Sequence, residues 1–186
     1  EFSMAHFAEI KSEDNLVIRS VVISDQDCVS HGGENSAELE QWVASITRDC
    51  VILKQEFGGV YPNTYWKRTS YNTKKGVHYT EQDNTFVASD DQSKAFRLNY
   101  ASDESLKYDS TLNGFVQANK PHDSWTLNTS TGFYDAPVAD PSTMSHNSVL
   151  LNPKVWDEDN QRWTALDSAT NINYYWNTET NTWSNI

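Results

Sequence analysis

Five histidines, His6, His31, His78, His122 and His146, are the residues best suited to metal binding or proton transfer. They are scattered without the i, i+4 or short-loop spacing of a zinc site, so no metal site is expected. His122-Asp123-Ser124 holds the three residue types of a hydrolytic triad, but contiguous side chains do not adopt a relay geometry that normally joins distant segments. The run Asp157-Glu158-Asp159-Asn160 offers oxygen ligands for a hard cation. It lacks the glycine and distal glutamate of an EF-hand loop and reads as a solvated turn. Gly32-Gly33 and Gly58-Gly59 are turn glycines rather than parts of a phosphate loop or dinucleotide fingerprint. Among 26 acids, nothing selects the carboxylate pair that glycoside cleavage needs. The sequence offers no catalytic residue, implies no cofactor and points away from an enzyme.

Aromatic residues carry the remaining chemistry. The stretch 61–79 interleaves rings with cations, and Trp66, Lys67, Arg68, Tyr71, Lys74 and Lys75 form a candidate patch for single-stranded nucleic acid or an anionic glycan. The competing reading is a strand whose rings are core and whose lysines are solvated. Further along, Trp125, Tyr134, Trp156, Trp163, Trp176 and Trp183 are candidate binding or interface residues. Exposed rings on hairpins make platforms for the apolar face of a pyranose. An isolated two-stranded unit is marginal in water, however, so each hairpin also needs to bury its own rings.

The elements that must position these rings show in a repeated pattern: a large apolar residue, Asp or Asn, five mostly polar residues, then an aromatic. The copies run Tyr108-Asp109 to Phe115, Leu127-Asn128 to Tyr134, Trp156-Asp157 to Trp163, and Trp176-Asn177 to Trp183. Bulky residues seven apart around a polar, turn-forming hexamer describe a β-hairpin whose first and last positions face each other on one side. The Asp or Asn accepts from turn amides, and Asn113, Gly132 and Asn181 tolerate a left-handed backbone late in the turn. Gln161 at that place weakens the third copy. Pro121, Pro137, Pro141 and Pro153 fall between copies and stop strands from running on.

Before the repeats, His6–Ile10 and Leu16–Ile23 read as an opening hairpin, Ser24–Asn35 as a loop, and Ser36–Ile46 as a capped helix with Leu39, Trp42, Val43 and Ile46 on one stripe. Strand-like pieces follow near Tyr65–Tyr71, His78–Thr80 and Ala95–Tyr100, and Thr80–Lys94 is flexible in composition. The expected fold is α+β and strand-dominated: an N-terminal hairpin with one covering helix, then a C-terminal array of aromatic β-hairpin repeats. The expected organisation is a cloning remnant at 1–3, since Glu1-Phe2 is what an EcoRI site encodes, an α+β region at 4–104, and four hairpin repeats at 105–186.

The formal charge is −12, with residues 1–100 contributing −5 and residues 101–186 contributing −7. That balance opposes duplex nucleic acid as a partner, because phosphate binding rests on Lys and Arg. No apolar run reaches the length of a membrane helix, so no membrane insertion is expected, and the start from Met4 shows no export signal. Cys28 and Cys50 are too few for a disulfide framework and read as buried or idle free thiols, one bridge between them remaining open.

Several local signatures resemble a group of small, mostly uncharacterised proteins of marine cyanophages and other marine bacterial viruses. They include Met4-Ala5-His6-Phe7-Ala8-Glu9-Ile10, Thr69-Ser70-Tyr71-Asn72, Phe96-Arg97-Leu98-Asn99-Tyr100-Ala101, Ser124-Trp125-Thr126-Leu127-Asn128 and Trp156-Asp157-Glu158-Asp159. The resemblance spans almost the whole chain and implies a phage origin, without supplying catalytic residues. The resulting expectation is a non-enzymatic virion or tail-associated accessory component, located on the virion or in the host cytoplasm during infection. Its expected partners are copies of itself or other virion proteins. Two alternatives stand beside it: a module recognising host surface glycan through the hairpin tryptophans, and an intracellular protein that binds a host target.

Overall fold

The computed structural model describes residues 4–49, 63–141, 145–146, 149–151 and 154–186. Glu1–Ser3, Cys50, Gly58-Gly59 and Pro153 lie outside them. The fold is strand-dominated, 44% strand against 12% helix, and is built from small antiparallel sheets. The chain divides into two compact units, residues 1–119 with 128–133, and residues 120–127 with 134–186. The division thus falls after Asn119, whereas the sequence pattern draws it after Glu104, and the first hairpin of the repeat belongs to the first unit.

In the first unit, strands β1 (Met4–Lys11) and β2 (Val17–Ser24) pair with Phe7 opposite Val21 and Ala5 opposite Ile23. Two helices follow, α1 (Asp25–Ser30) and α2 (Ala37–Asp49), and then β3 (Thr64–Thr69), which pairs with the other side of β1. Strand alternation sends β1 side chains to both faces, and both are buried. Ala5 and Phe7 lie with Ile23, Trp66, Cys28, Leu39 and Val43 on the helical side. Ala8 and Ile10 lie with Val17, Ala101, Leu106, Tyr108 and Phe115 on the other. The central strand therefore buries apolar side chains on both sides, and two helices cover the first face where the sequence pattern calls for one. The Ser36 hydroxyl caps α2 as expected, accepting from the Leu39 amide at 2.9 Å. The second helix, α1, stands in the expected loop. It is six residues long, buries only Cys28, and starts where Ser24 accepts from the Asp27 amide, so it carries no readable stripe.

Strands β4 (Thr73–Lys74), β5 (Val77–Gln82) and β6 (Thr85–Ala88) form a three-stranded meander. Its two-residue turns have positive φ at both central positions, 52° and 76° at Lys75 and Gly76, 49° and 60° at Asp83 and Asn84. Much of the stretch expected to be flexible is thus a hairpin followed by a 3-10 turn at Gln92–Lys94. Ala95–Tyr100, expected as a strand, is irregular: Arg97 and Leu98 take left-handed φ values of 51° and 67°. The hairpin of β7 (Leu106–Asp109) and β8 (Gly114–Gln117) completes this unit's core.

The next hairpin, β9 (Thr126–Asn128) with β10 (Phe133–Asp135), contributes its tip to the first unit and its base to the second. The second unit adds the short pair β11 (Ser145–His146) and β12 (Val149–Leu150). It also holds a four-stranded meander of β13 (Lys154–Asp157), β14 (Arg162–Asp167), β15 (Ile172–Asn177) and β16 (Thr182–Asn185).

Candidate functional site

One turn design recurs from β7 onward. Asp109 accepts from the amides of Thr111 and Leu112, Asn128 from those of Ser130 and Thr131, and Asn177 from those of Glu179 and Thr180. Asp157 accepts from the Asn160 amide and Asp167 from the Ala169 amide. Four residues after each Asp or Asn, the backbone turns left-handed: Asn113, Gly132, Gln161, Asn171 and Asn181 have φ of 47°, 76°, 47°, 56° and 52°. The carboxylate or amide satisfies the turn amides, and the left-handed residue returns the chain to pair. The turn between β14 and β15 lacks a closing aromatic, since Asn173 stands opposite Leu166, so ring spacing does not reveal it. The Asp167-to-Asn171 spacing was its available signal.

Cross-strand ring pairs sit where these turns place them. Tyr108 faces Phe115 at 5.6 Å between ring centres, Trp156 faces Trp163 at 5.3 Å, and Trp176 faces Trp183 at 5.5 Å, each tilted edge to face. In the four-stranded sheet Trp163 and Ala165 are two apart on β14, and Tyr174 and Trp176 two apart on β15, with Ala165 opposite Tyr174. All these rings therefore share one face of the sheet. Trp156, Tyr174, Trp176 and Trp183 are buried, the last three in one cluster with Leu151 and Ala165, against which Val138 and Trp163 pack. Trp125 sets its ring edge to face against both Trp156 and Trp163, and the Trp163 indole N–H donates to the Val138 carbonyl at 3.0 Å. Of the candidate contact rings, Trp125, Tyr134 and Trp163 are half-buried.

The basic and aromatic patch of the sequence is split by the fold. Trp66 is a core residue, with the Arg19 guanidinium 5.9 Å from its ring centre. Lys67 pairs with Glu40 at 2.9 Å, and Arg68 pairs with Glu34 and also donates its backbone amide to Glu40. Arg97 adds a second cation to Glu40. Burial pushes the Glu40 carboxyl up, but the Arg68 amide, the Arg97 guanidinium and the Lys67 ammonium outweigh it and hold the group below its ordinary value. These cations organise the interior of the first unit.

Tyr71, Lys74 and Lys75 instead line an open cleft of about 690 Å³ in the first unit. Its other rings are Tyr79, Phe86, Tyr100 and Phe133. Tyr71 and Phe86 are 60% and 58% exposed, unusual values for rings that converge on one concavity. Tyr71 is nonetheless held in place, stacked on His6 with 5.5 Å between ring centres and met edge-on by Tyr100 at 5.2 Å. The Tyr100 hydroxyl is within 3.0 Å of the Ser20 hydroxyl. Beneath the lysines, Asn99 accepts from the Lys75 amide and donates to the Phe115 and Thr131 carbonyls, and the Gly76 amide donates to the Leu98 carbonyl. A Cβ at Gly76 would lie 2.5 Å from the Ser130 carbonyl oxygen, so the lysine turn seats only with glycine there. The Lys75 ammonium lies 5.5 Å from the Phe133 ring centre.

Several carboxyls stand below their ordinary values because turn groups donate to them: Asp103 from Ser105, Asp157 from Asn160, and Asp167 from Thr170. In Glu158 burial acts upward and is outweighed by Ser124 and the Trp156 indole. Desolvation raises the buried Cys28 thiol, with Glu34 acting in the same direction. These groups are tuned by the structure they hold together. No family model, curated protein or solved structure matches the chain.

Proposed function

We propose that the protein is a non-enzymatic accessory component of a tailed bacteriophage particle, in which the repeated hairpin module of residues 105–186 has a structural role. The observation that carries the structural role is the burial of Trp156, Trp176 and Trp183: the rings that recur at seven-residue spacing are consumed in construction. The carboxyls that depart from ordinary behaviour support it as well. The half-buried Asp157 and Asp167 are depressed by turn donors, the opposite direction from a carboxyl raised to serve as a general acid at neutral pH. Phage origin rests on the sequence resemblance along the chain.

Glycan recognition through the hairpin tryptophans would need ring faces that Trp156, Trp176 and Trp183 spend on packing. Trp125, Tyr134 and Trp163 are half-buried and are the members of that group that keep some exposed surface. A homo-oligomer, or binding to other virion proteins, is the expected use of the module. Quantitative mass spectrometry of purified particles from a phage encoding this chain tests the reading, with several copies per particle expected. Detection in infected-cell lysate and not in particles would overturn it in favour of an intracellular host target. Light scattering on the full chain tests the oligomer separately.

A further inference from the structure

We infer that the cleft between the Lys74–Lys75 turn and the Phe86 hairpin is a saccharide site that takes a sparsely charged acidic sugar chain, one whose uronates are spaced by neutral sugars. Its size lies within the 300–1,000 Å³ typical of small-molecule sites, at about 690 Å³. Two features separate it from an incidental dent. Tyr71 and Phe86 are more than half exposed where they line a concavity, and Tyr71 is braced by His6 and Tyr100 rather than free to collapse. A ring fixed on one side and open on the other presents the flat, weakly hydrated surface on which the C–H face of a pyranose stacks. Ordering such a ring costs little entropy on binding, because its neighbours have already ordered it.

Charge narrows the class. On a chain of net charge −12, this concavity is lined by Lys74 and Lys75 and by one acid, Asp103. Among the described residues the Lys74 ammonium meets no carboxylate, unlike Lys67, Arg68 and Arg97, which are all bound to Glu34 or Glu40. The Asp103 carboxylate accepts from the Ser105 amide and the Ser102 hydroxyl. Lys74 is thus placed to meet an anion on the ligand, while Asn72 and Ser102 offer short polar groups to hydroxyls. Single-stranded nucleic acid would also stack on rings, but it carries a charge at every nucleotide. Two lysines on an acidic surface match a sparsely charged chain better.

This assignment does not depend on the particle-associated reading, and its test is separate. Binding of a xylohexaose carrying a single glucuronate, neutral xylohexaose and oligo(dT) to the full chain is measured by titration calorimetry at two salt concentrations. The expected result is saturable binding of the uronate, about tenfold tighter than the neutral hexamer. Phe86→Ala and Tyr71→Ala each weaken it about tenfold or more at unchanged circular dichroism, Phe86→Tyr retains it, and Lys74→Met removes the preference for the acidic sugar. No binding of either saccharide, or binding indifferent to all of these substitutions, overturns the site. Equal affinity for the neutral hexamer overturns its acidic specificity. Displacement of the sugar by oligo(dT), with a steep salt dependence, overturns it in favour of nucleic acid.

Discussion

The two units use aromatic side chains in opposite ways. In the second, Trp156, Trp163, Tyr174, Trp176 and Trp183 share one sheet face, and all but the half-buried Trp163 are buried. In the first, the core of β1 is filled mainly by Ala, Ile, Leu, Val and Phe, and Tyr71 and Phe86 are left more than half exposed beside a cleft. The difference follows from layers. A sheet covered by two helices on one side and a hairpin on the other buries enough aliphatic surface to leave rings over. A four-stranded meander of short strands has little else to bury, so its rings become its core. Ring type and spacing alone do not tell a binding surface from a core; the presence of a covering layer does.

The largest expected effect tests this contrast directly. Trp176→Ala removes a ring that is 7% exposed and is expected to cost about 3 to 5 kcal/mol in denaturant unfolding. Phe86→Ala, at 58% exposure, is expected to change stability by about 0.5 kcal/mol or less. Similar losses from the two substitutions would collapse the distinction between the units.

Next in size is the ion-pair centre of the first unit. Glu40→Ala leaves Arg97 and Lys67 without their shared carboxylate and is expected to cost about 3 kcal/mol. The folded carboxyl is held below its ordinary value of 4.5. Its contribution is therefore fully present above that pH and lost as pH falls through the depressed folded value. Stability measured against pH should fall below about pH 4.5, and Glu40→Gln should make that fall shallower. An unchanged acid limb in the Gln variant would remove Glu40 from the account.

A third substitution probes how the second hairpin's tip seats in the first unit. Gly132 has φ of 76°, and a Cβ there would lie 2.7 Å from the Asn99 side-chain nitrogen and 2.8 Å from the Phe115 carbonyl oxygen. Gly132→Ala is expected to cost about 2 kcal/mol, combining the left-handed penalty with displacement of backbone. A loss no greater than that of an exposed turn glycine would mean the tip is loosely held.

How far the sequence could be read follows the same division. The opening strands, the Ser36-capped helix and the ring pairs at Tyr108, Trp156 and Trp176 rest on local spacing, and local spacing is visible in one chain. The helix at Asp25–Ser30 was not, because a single buried residue makes no stripe. The candidate patch failed as a unit for a long-range reason. Strand alternation sends Trp66 into the core, and Glu34 and Glu40, more than 25 residues away, claim Lys67 and Arg68. The cleft was equally hidden, since Tyr71, Phe86, Tyr100 and Phe133 come from four separate segments. Only Tyr71, Lys74 and Lys75 carried over from one reading to the other.

The smallest expected effect concerns the position the two units share, the left-handed residue closing each turn. In the first unit Asn113 is more than a turn residue, because its side-chain oxygen accepts from the Tyr108 hydroxyl at 2.6 Å and from Arg97 at 3.2 Å. In the second unit Gln161 holds φ of 47° with an exposed side chain and a longer aliphatic stem than Asn or Gly would bring. A left-handed backbone costs a residue with a Cβ about 1 to 2 kcal/mol, and glycine avoids that while losing about 0.5 to 1 kcal/mol more chain entropy on folding. The net expectation for Gln161→Gly is a gain of about 0.5 kcal/mol. Asn113→Gly relieves the same strain but deletes two hydrogen bonds, one of them to a buried tyrosine, and should lose about 1 kcal/mol. Opposite signs at equivalent positions would show that the turn is a common module and that its surroundings decide what the closing residue must do. Stabilisation at both would mean that the Asn113 contacts contribute nothing, and the first unit's use of this turn would then be no different from the second's.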